Sequence, residues 1–194
     1  GKGDEIFINT SGVGLVPAGV RVLPTLIQPG DAILVSGDLG SHGVAVLSVR
    51  EGLTFEGDIK SDSAPLHRIV ADLLDSGIDI HCLRDLTRGG LASVVNELAV
   101  AAKAGMMVDE SAIPVSEPVR GACELLGLDP LYVANEGRFV AMVPASQAEA
   151  GLAIMRRHKA ASQTAHIGVV TDRDPSMVVL QTVVGTHRVL DLLS

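Results

Sequence analysis

The amino-acid sequence predicts an α/β (α+β) fold, a mixed β-sheet with packed helices. Short apolar runs at 32–35, 139–143 and 167–170 have the length of buried strands. Stretches with apolar residues three and four apart, at 66–74, 91–102 and 119–126, have the period of one-sided helices. Glycine-bearing turns separate the two kinds of segment, so that strand, turn and helix follow one another along the chain.

Taken in order, residues 5–10 alternate Ile6 and Ile8 with polar neighbours, the pattern of a half-buried strand, until Gly12 and Gly14 weaken it. The turn Gln28-Pro29-Gly30-Asp31 leads into the strand at 32–35. That strand ends in the glycine loop Gly37-Asp38-Leu39-Gly40-Ser41-His42-Gly43, after which a helix begins at Val44. The GxxGxxG spacing is neither a Walker A loop nor a Rossmann fingerprint. His42 reads either as a phosphate ligand or proton carrier or as a residue that hydrogen-bonds locally. Ser61, Asp62 and Ser63 supply caps for a helix whose apolar face is Leu66, Ile69, Val70, Leu73 and Leu74, closed by Gly77.

The stretch around which the chain is organised follows. Ile78, Ile80 and Cys82 alternate with Asp79 and His81 as a strand, and Leu91, Val94, Val95, Leu98 and Ala102 carry a helix to Gly105, which suits its left-handed end. The turn between them holds Asp85, Thr87, Arg88, Gly89 and Gly90. A helix starting at Gly89 or Gly90 directs its free amides back over the strand end, where residues without Cβ let an anion approach. Arg88 adds a permanently charged fork and Thr87 a hydroxyl. The same residues also fit a plain turn capped by Thr87 or Asp85.

Beyond it, residues 106–108 read as a short strand, and Ser116-Glu117-Pro118 starts a helix that carries Cys123 into the core. Asp129-Pro130 opens one helical turn. Asn135-Glu136-Gly137 either projects a carboxylate at the entrance of the strand 139–143 or forms an ordinary corner. Ser146 and Glu149 make a capping box, and residues 167–170, 178–184 and 188–193 read as closing strands.

The chain has 194 residues, 47% of them hydrophobic and 2% aromatic, so its core must be aliphatic and it lacks platforms for stacking bases. A net charge of -8 without a basic run repels polyanions, which argues against nucleic-acid binding. No apolar run reaches the roughly 18 residues of a membrane span, and no signal-peptide pattern opens the chain. Two cysteines in strand and helix patterns indicate neither a disulfide framework nor a zinc motif, which fits a reducing cytoplasm and no metal centre of the chain's own. The abrupt start at Gly1 points to a chain cut from something longer.

Arg84-Asp85-Leu86-Thr87-Arg88-Gly89-Gly90, followed by Val94-Val95-Asn96-Glu97-Leu98-Ala99, resembles the HypE family of hydrogenase maturation proteins. The resemblance continues in order through Phe7-Ile8-Asn9-Thr10, Ser36-Gly37, Pro114-Val115, Cys123-Glu124-Leu125-Leu126-Gly127 and Ala134-Asn135-Glu136-Gly137. It implies a C-terminal domain of the AIR synthase (PurM) and selenophosphate synthetase superfamily, PurM C-terminal-domain-like, over residues 18–194. Residues 1–17 become the last strand or hinge after an N-terminal domain that carries most of the ATP and magnesium (Mg2+) site and forms a homodimer. The family dehydrates an S-carbamoyl cysteine to thiocyanate with ATP, for the cyanide ligand of [NiFe]-hydrogenase. Its implied partners are a HypF-like carbamoyltransferase and HypC- and HypD-like maturation proteins. The sequence departs from the family in stopping at Ser194 without a Pro-Arg-Ile-Cys ending, so this chain alone is expected to be inactive.

By that resemblance Glu136 is the base, supported by Asn135 and Gly137. Asp85, Thr87, Arg88, Gly89 and Gly90 form the phosphate side, with Gly40, His42 and Gly43 as further candidates. Two other readings stand beside this one: a different ATP-dependent enzyme of the AIR synthase and selenophosphate synthetase type, and a docking module for maturation partners.

Overall fold

The apolar run at 32–35 lies in the middle of a mixed sheet in a computed structural model that describes residues 9, 11–53, 55, 57 and 59–192. Among these residues the strands are β1 (Asp31–Val35), β2 (Cys82–Asp85), β3 (Gly105–Asp109), β4 (Phe139–Pro144), β5 (Ala165–Thr171), β6 (Val178–Gln181) and β7 (His187–Val189). Their order is β2-β4-β1-β5-β3-β6-β7. Every neighbouring pair is antiparallel except β3 and β6. The helices are α1 (Ser41–Glu51), α2 (His67–Asp75), α3 (Gly90–Ala102), α4 (Glu117–Leu126) and α5 (Ala148–Met155). The expected α/β class is borne out.

Both faces of the sheet are covered, and the period of two along each strand decides which residue goes where. Ile33 and Val35 of β1, Val140 and Met142 of β4 and Cys82 of β2 join the core beneath α3. Ala32, Leu34, Phe139, Ala141 and Val143 join Ile69, Leu73, Leu152 and Met155 beneath α2 and α5. Burial on both sides is why β1 and β4 read as unbroken apolar runs rather than alternating ones. Each such Leu, Ile or Phe stabilises the fold by about 1.5–3 kcal/mol. Helices α1 and α4 meet in a smaller cluster of Val44, Val119, Ala122 and Cys123, above the glycine loop.

Several local expectations shift. The strand expected at 78–82 begins its ladder at Cys82 and runs on to Asp85, which the sequence places in the turn. His81 already bonds Met142 through its backbone, so the extended segment does start earlier. Helix α3 ends at Lys103, itself left-handed, whereas Gly105 opens β3, where a Cβ would strike the carbonyl of Arg173. The close approach of the chain just after β5 therefore sets the glycine, not the helix end. Ser146 makes no cap bond for α5, because a 3-10 turn at Ala145–Gln147 precedes it. Of the closing strands, β5 extends past 167–170 at both ends, whereas β6 stops at Gln181 and β7 at Val189, short of the 184 and 193 expected. The strand expected at 5–10 lies outside the described residues save for Asn9.

At the start of β1 a buried polar cluster fixes the chain. His81 Nδ1 pairs with Asp31 Oδ2 at 2.7 Å and its Nε2 lies 3.3 Å from Asp79 Oδ2. Burial pulls the imidazole pKa down, yet the hydrogen bonds and charges of Asp31 and then Asp79 outweigh it, and the net shift is upward. A raised folded-state pKa stabilises fully below the unfolded value near 6.5 and loses that contribution as pH rises through the folded value. The stability difference between the native chain and His81→Asn, from urea unfolding, is therefore expected to be largest below pH 6.5 and to shrink above it. A difference that grows with pH would contradict the assignment.

Candidate functional site

The register of β2 and β4 brings two distant corners together. Asp85 stands opposite Phe139, and the amide of Leu86 donates to the carbonyl of Arg138 at 3.0 Å. The end of β2 and the entrance of β4 are thus neighbours, and the turn into α3 begins beside Asn135-Glu136-Gly137.

Asn135 joins them. Its carboxamide has no exposure, and both of its N–H donors and its oxygen are bonded within the protein. Nδ2 donates to the carbonyls of Leu86 and Val133, both at 3.1 Å, and Oδ1 accepts from the amide of Gly40 at 2.8 Å. Its own amide also donates to Leu86 at 3.1 Å. The glycine loop before α1, the end of β2 and the 133–137 corner therefore meet at one side chain. The amide of Gly43 donates to Ala134 at 3.0 Å, so both Gly40 and Gly43 spend their amides within the protein. His42, half-buried in the first turn of α1, lies 2.9 Å from Ser61 Oγ through Nδ1.

In the turn before α3, Thr87 donates its hydroxyl to Asp85 at 2.6 Å, and neither residue caps the helix. Gly89 and Gly90 are both left-handed, with φ of 73° and 60°. A Cβ on Gly90 would stand 2.6 Å from the carbonyl oxygens of Leu131 and Val133, and one on Gly89 would strike the Ser93 hydroxyl. The room these glycines provide is filled by protein, chiefly the 3-10 turn Pro130–Tyr132. What faces outward is Arg88, exposed and without an ion pair among the described residues, together with the first turn of α3. A cation beside a helix N-terminus suits an anion.

Glu136 is exposed, but its backbone is held. Asp62 Oδ1 accepts from the amides of Glu136 and Gly137 at 2.7 and 3.0 Å, and a Cβ on Gly137 would strike the carbonyl of Asp62. The glycine of the motif is thus needed for Asp62 to reach it. Ser61, Asp62 and Ser63 were expected to cap α2, whose N-cap is instead Leu66 without a side-chain bond. Arg138, next in sequence, pairs with Asp38 at 2.6 Å, with side chains only 10% and 16% exposed. It also donates to the carbonyls of Asp38, Gly137 and Ala160.

Asp62, Asp38 and Arg138 are the residues that sequence reasoning missed. The signal available was a charged residue at the mouth of an apolar strand and an aspartate in the glycine loop. Nothing local paired them across a hundred positions. Beside them an open cleft of about 360 Å³ is lined by Asp38, Asp62, Arg138, Lys159, Ser162 and Gln163, among others.

The thiols play no part in this site. Burial pushes Cys82 up to about 11 despite nearby Arg84, and burial likewise raises Cys123. Among the described residues no group of three or more His, Cys, Asp and Glu gathers as metal ligands, and no helix is long and apolar enough to cross a membrane. The arrangement as a whole offers a held, solvent-facing carboxylate at one corner and an unpaired guanidinium beside a helix start at the next.

Residues 28–180 match the AIR synthase related protein, C-terminal domain, family. The chain is 53% identical to carbamoyl dehydratase HypE of Azotobacter vinelandii over 194 residues, all of this chain and 57% of that protein. Among solved structures it resembles hydrogenase maturation protein HypE in complex with ATP, with a TM-score of 0.87 and 45% identity over 89% of this chain and 53% of that one. It also resembles the HypE-HypF complex, with a TM-score of 0.86 and 40% identity over 90% of this chain and 57% of that one. The chain spans a little over half the length of these relatives.

The packing of the α3 turn gives a direct test. Gly90→Ala meets both a left-handed backbone and two carbonyls, whereas Gly127→Ala, with φ of 66° and open space around it, meets the backbone cost alone. Gly127→Ala is expected to lose about 1–3 kcal/mol and Gly90→Ala more than that, by chemical denaturation. Equal losses would show that the 131–133 contact contributes nothing.

Proposed function

The chain belongs to the AIR synthase related protein C-terminal domain family, and from that premise we propose that it is the C-terminal part of a HypE-like carbamoyl dehydratase. The whole enzyme converts an S-carbamoyl cysteine, R–S–C(=O)–NH2, and ATP to R–S–C≡N, ADP and phosphate. The amide oxygen is a poor leaving group until it is phosphorylated, and the nitrogen must lose both protons as the triple bond forms. ATP supplies the phosphoryl group. The chain's own residues supply a base and one side of an anion site.

Glu136 is that base. The observation that carries this reading is its exposed carboxylate, on a backbone fixed by Asp62 and Asn135, beside the turn into α3. Arg88 and the first turn of α3 face the phosphates, with Asp85 and Thr87 holding the turn's shape and Gly89 and Gly90 seating it on residues 131–133. Gly40, His42 and Gly43 support the same corner from the α1 side, since their amides and imidazole already have protein partners.

Most of the ATP site, and the Mg2+ that accompanies it, belongs to an N-terminal domain, with residues 1–17 as the hinge to the domain at 18–194. Val13, Leu15 and Val16, apolar and exposed, favour a partner surface there. Neither of the two cysteines here serves as the carrier thiol, because both are buried. A HypF-like carbamoyltransferase delivers the carbamoyl group, HypC- and HypD-like proteins receive the product, and the longer protein is a cytoplasmic homodimer.

Glu136→Gln in the longer protein is expected to lower thiocyanate formation by about 10²–10⁴-fold while the carbamoylated cysteine accumulates and the melting temperature holds. Mass spectrometry of the carrier peptide reads both species. Undiminished dehydration would remove Glu136 from this role.

A further inference from the structure

Asp62 does only half of what a buried carboxylate requires. Oδ1 accepts from the amides of Glu136 and Gly137, while Oδ2 is, among the described residues, the only buried side-chain nitrogen or oxygen without a partner. The residue is 9% exposed. An ionised carboxylate can only accept, and leaving one oxygen enclosed and unmet costs stability, so the place calls for a hydrogen-bond donor. No metal-ligand cluster surrounds it. Arg138, a cation in the cleft wall, is already committed to Asp38 and to three carbonyls. The cleft that Asp62 lines also presents Lys159 and Ser162, which are donors to an oxygen. An acceptor and donors in one cleft, the acceptor being bonded to the backbone amide of an exposed base, complement a group carrying both N–H and C=O.

We infer that this cleft is a subsite for a primary carboxamide, in which Asp62 Oδ2 accepts an N–H of the group whose nitrogen Glu136 deprotonates. The inference rests on the function proposed above and adds a second substrate-binding residue to it. Asp62 then has two tasks: one oxygen fixes the backbone of the base and the other orients the nitrogen that the base attacks.

Asp62→Asn separates these tasks. Two backbone amides can bond only to the carboxamide oxygen, so the variant must place its NH2 where Oδ2 stood. The backbone hydrogen bonds survive, and the substrate acceptor becomes a donor. The test titrates this chain with S-methyl thiocarbamate, or with S-methyl thioacetate, which lacks the N–H, while following the Glu136 and Gly137 amide resonances. The native chain is expected to show saturable shifts with the thiocarbamate alone. Asp62→Asn, melting as the native chain does, is expected to weaken that binding at least tenfold.

Equal response to both probes in the native chain, or undiminished binding by a folded Asp62→Asn, would overturn the subsite; should Asp62→Asn not fold, the two-probe comparison in the native chain still decides. Thiocarbamate binding without thiocyanate formation by the longer protein would instead overturn the proposed function and leave the subsite standing.

Discussion

One buried carboxamide holds the candidate site together. Asn135 accepts from Gly40 and donates to Leu86 and Val133, so three loops from separate parts of the chain converge on a side chain with no exposure. Each bond contributes about 0.5–1.5 kcal/mol, but a buried partner left unmet costs about 1–3 kcal/mol, and removing Asn135 would strand several at once. The site's shape is therefore cooperative. It exists where the sheet delivers β2 and β4 as neighbours, and Asn135 then fixes how the loops beyond them meet.

The charges around this point follow the same logic. Arg138 and Asp38 are a nearly enclosed ion pair, which by itself is weak evidence for stability because desolvation offsets attraction. Their value lies in geometry: the guanidinium also bonds the carbonyls of Asp38, Gly137 and Ala160, tying the glycine loop and the 160 region to the entrance of β4. Glu136, by contrast, is held through its backbone amide, and both it and Arg88 present their charges to solvent. Asn135 and Arg138, which shape the site, are buried and bonded on several sides, whereas Glu136 and Arg88 are exposed.

Much of the fold was legible because apolar periodicity and burial have the same cause. The runs at 32–35 and 139–143 are strands buried on both faces, and Leu91, Val94, Val95 and Leu98 are the buried stripe of α3. Local chemistry was less legible. Gly105 looks like a helix terminator, yet close packing against Arg173 demands it, and Asp62 looks like a cap, yet it bonds amides seventy-four residues away. Small polar residues and glycines serve local and long-range roles with the same side chain, and only the strand register distinguishes them. The motif around Glu136 draws attention to its carboxylate, but that Asp62 bonds its backbone amide from seventy-four residues away is not legible there.

The central claim is that Asn135 couples the loops rather than merely adding to global stability. Native-state hydrogen exchange in Asn135→Ala tests it most directly. The Gly40 amide is expected to lose at least tenfold more protection than the amide of Leu34 in the middle of β1. Parallel losses at Gly40 and Leu34, or none at Gly40, would contradict the account.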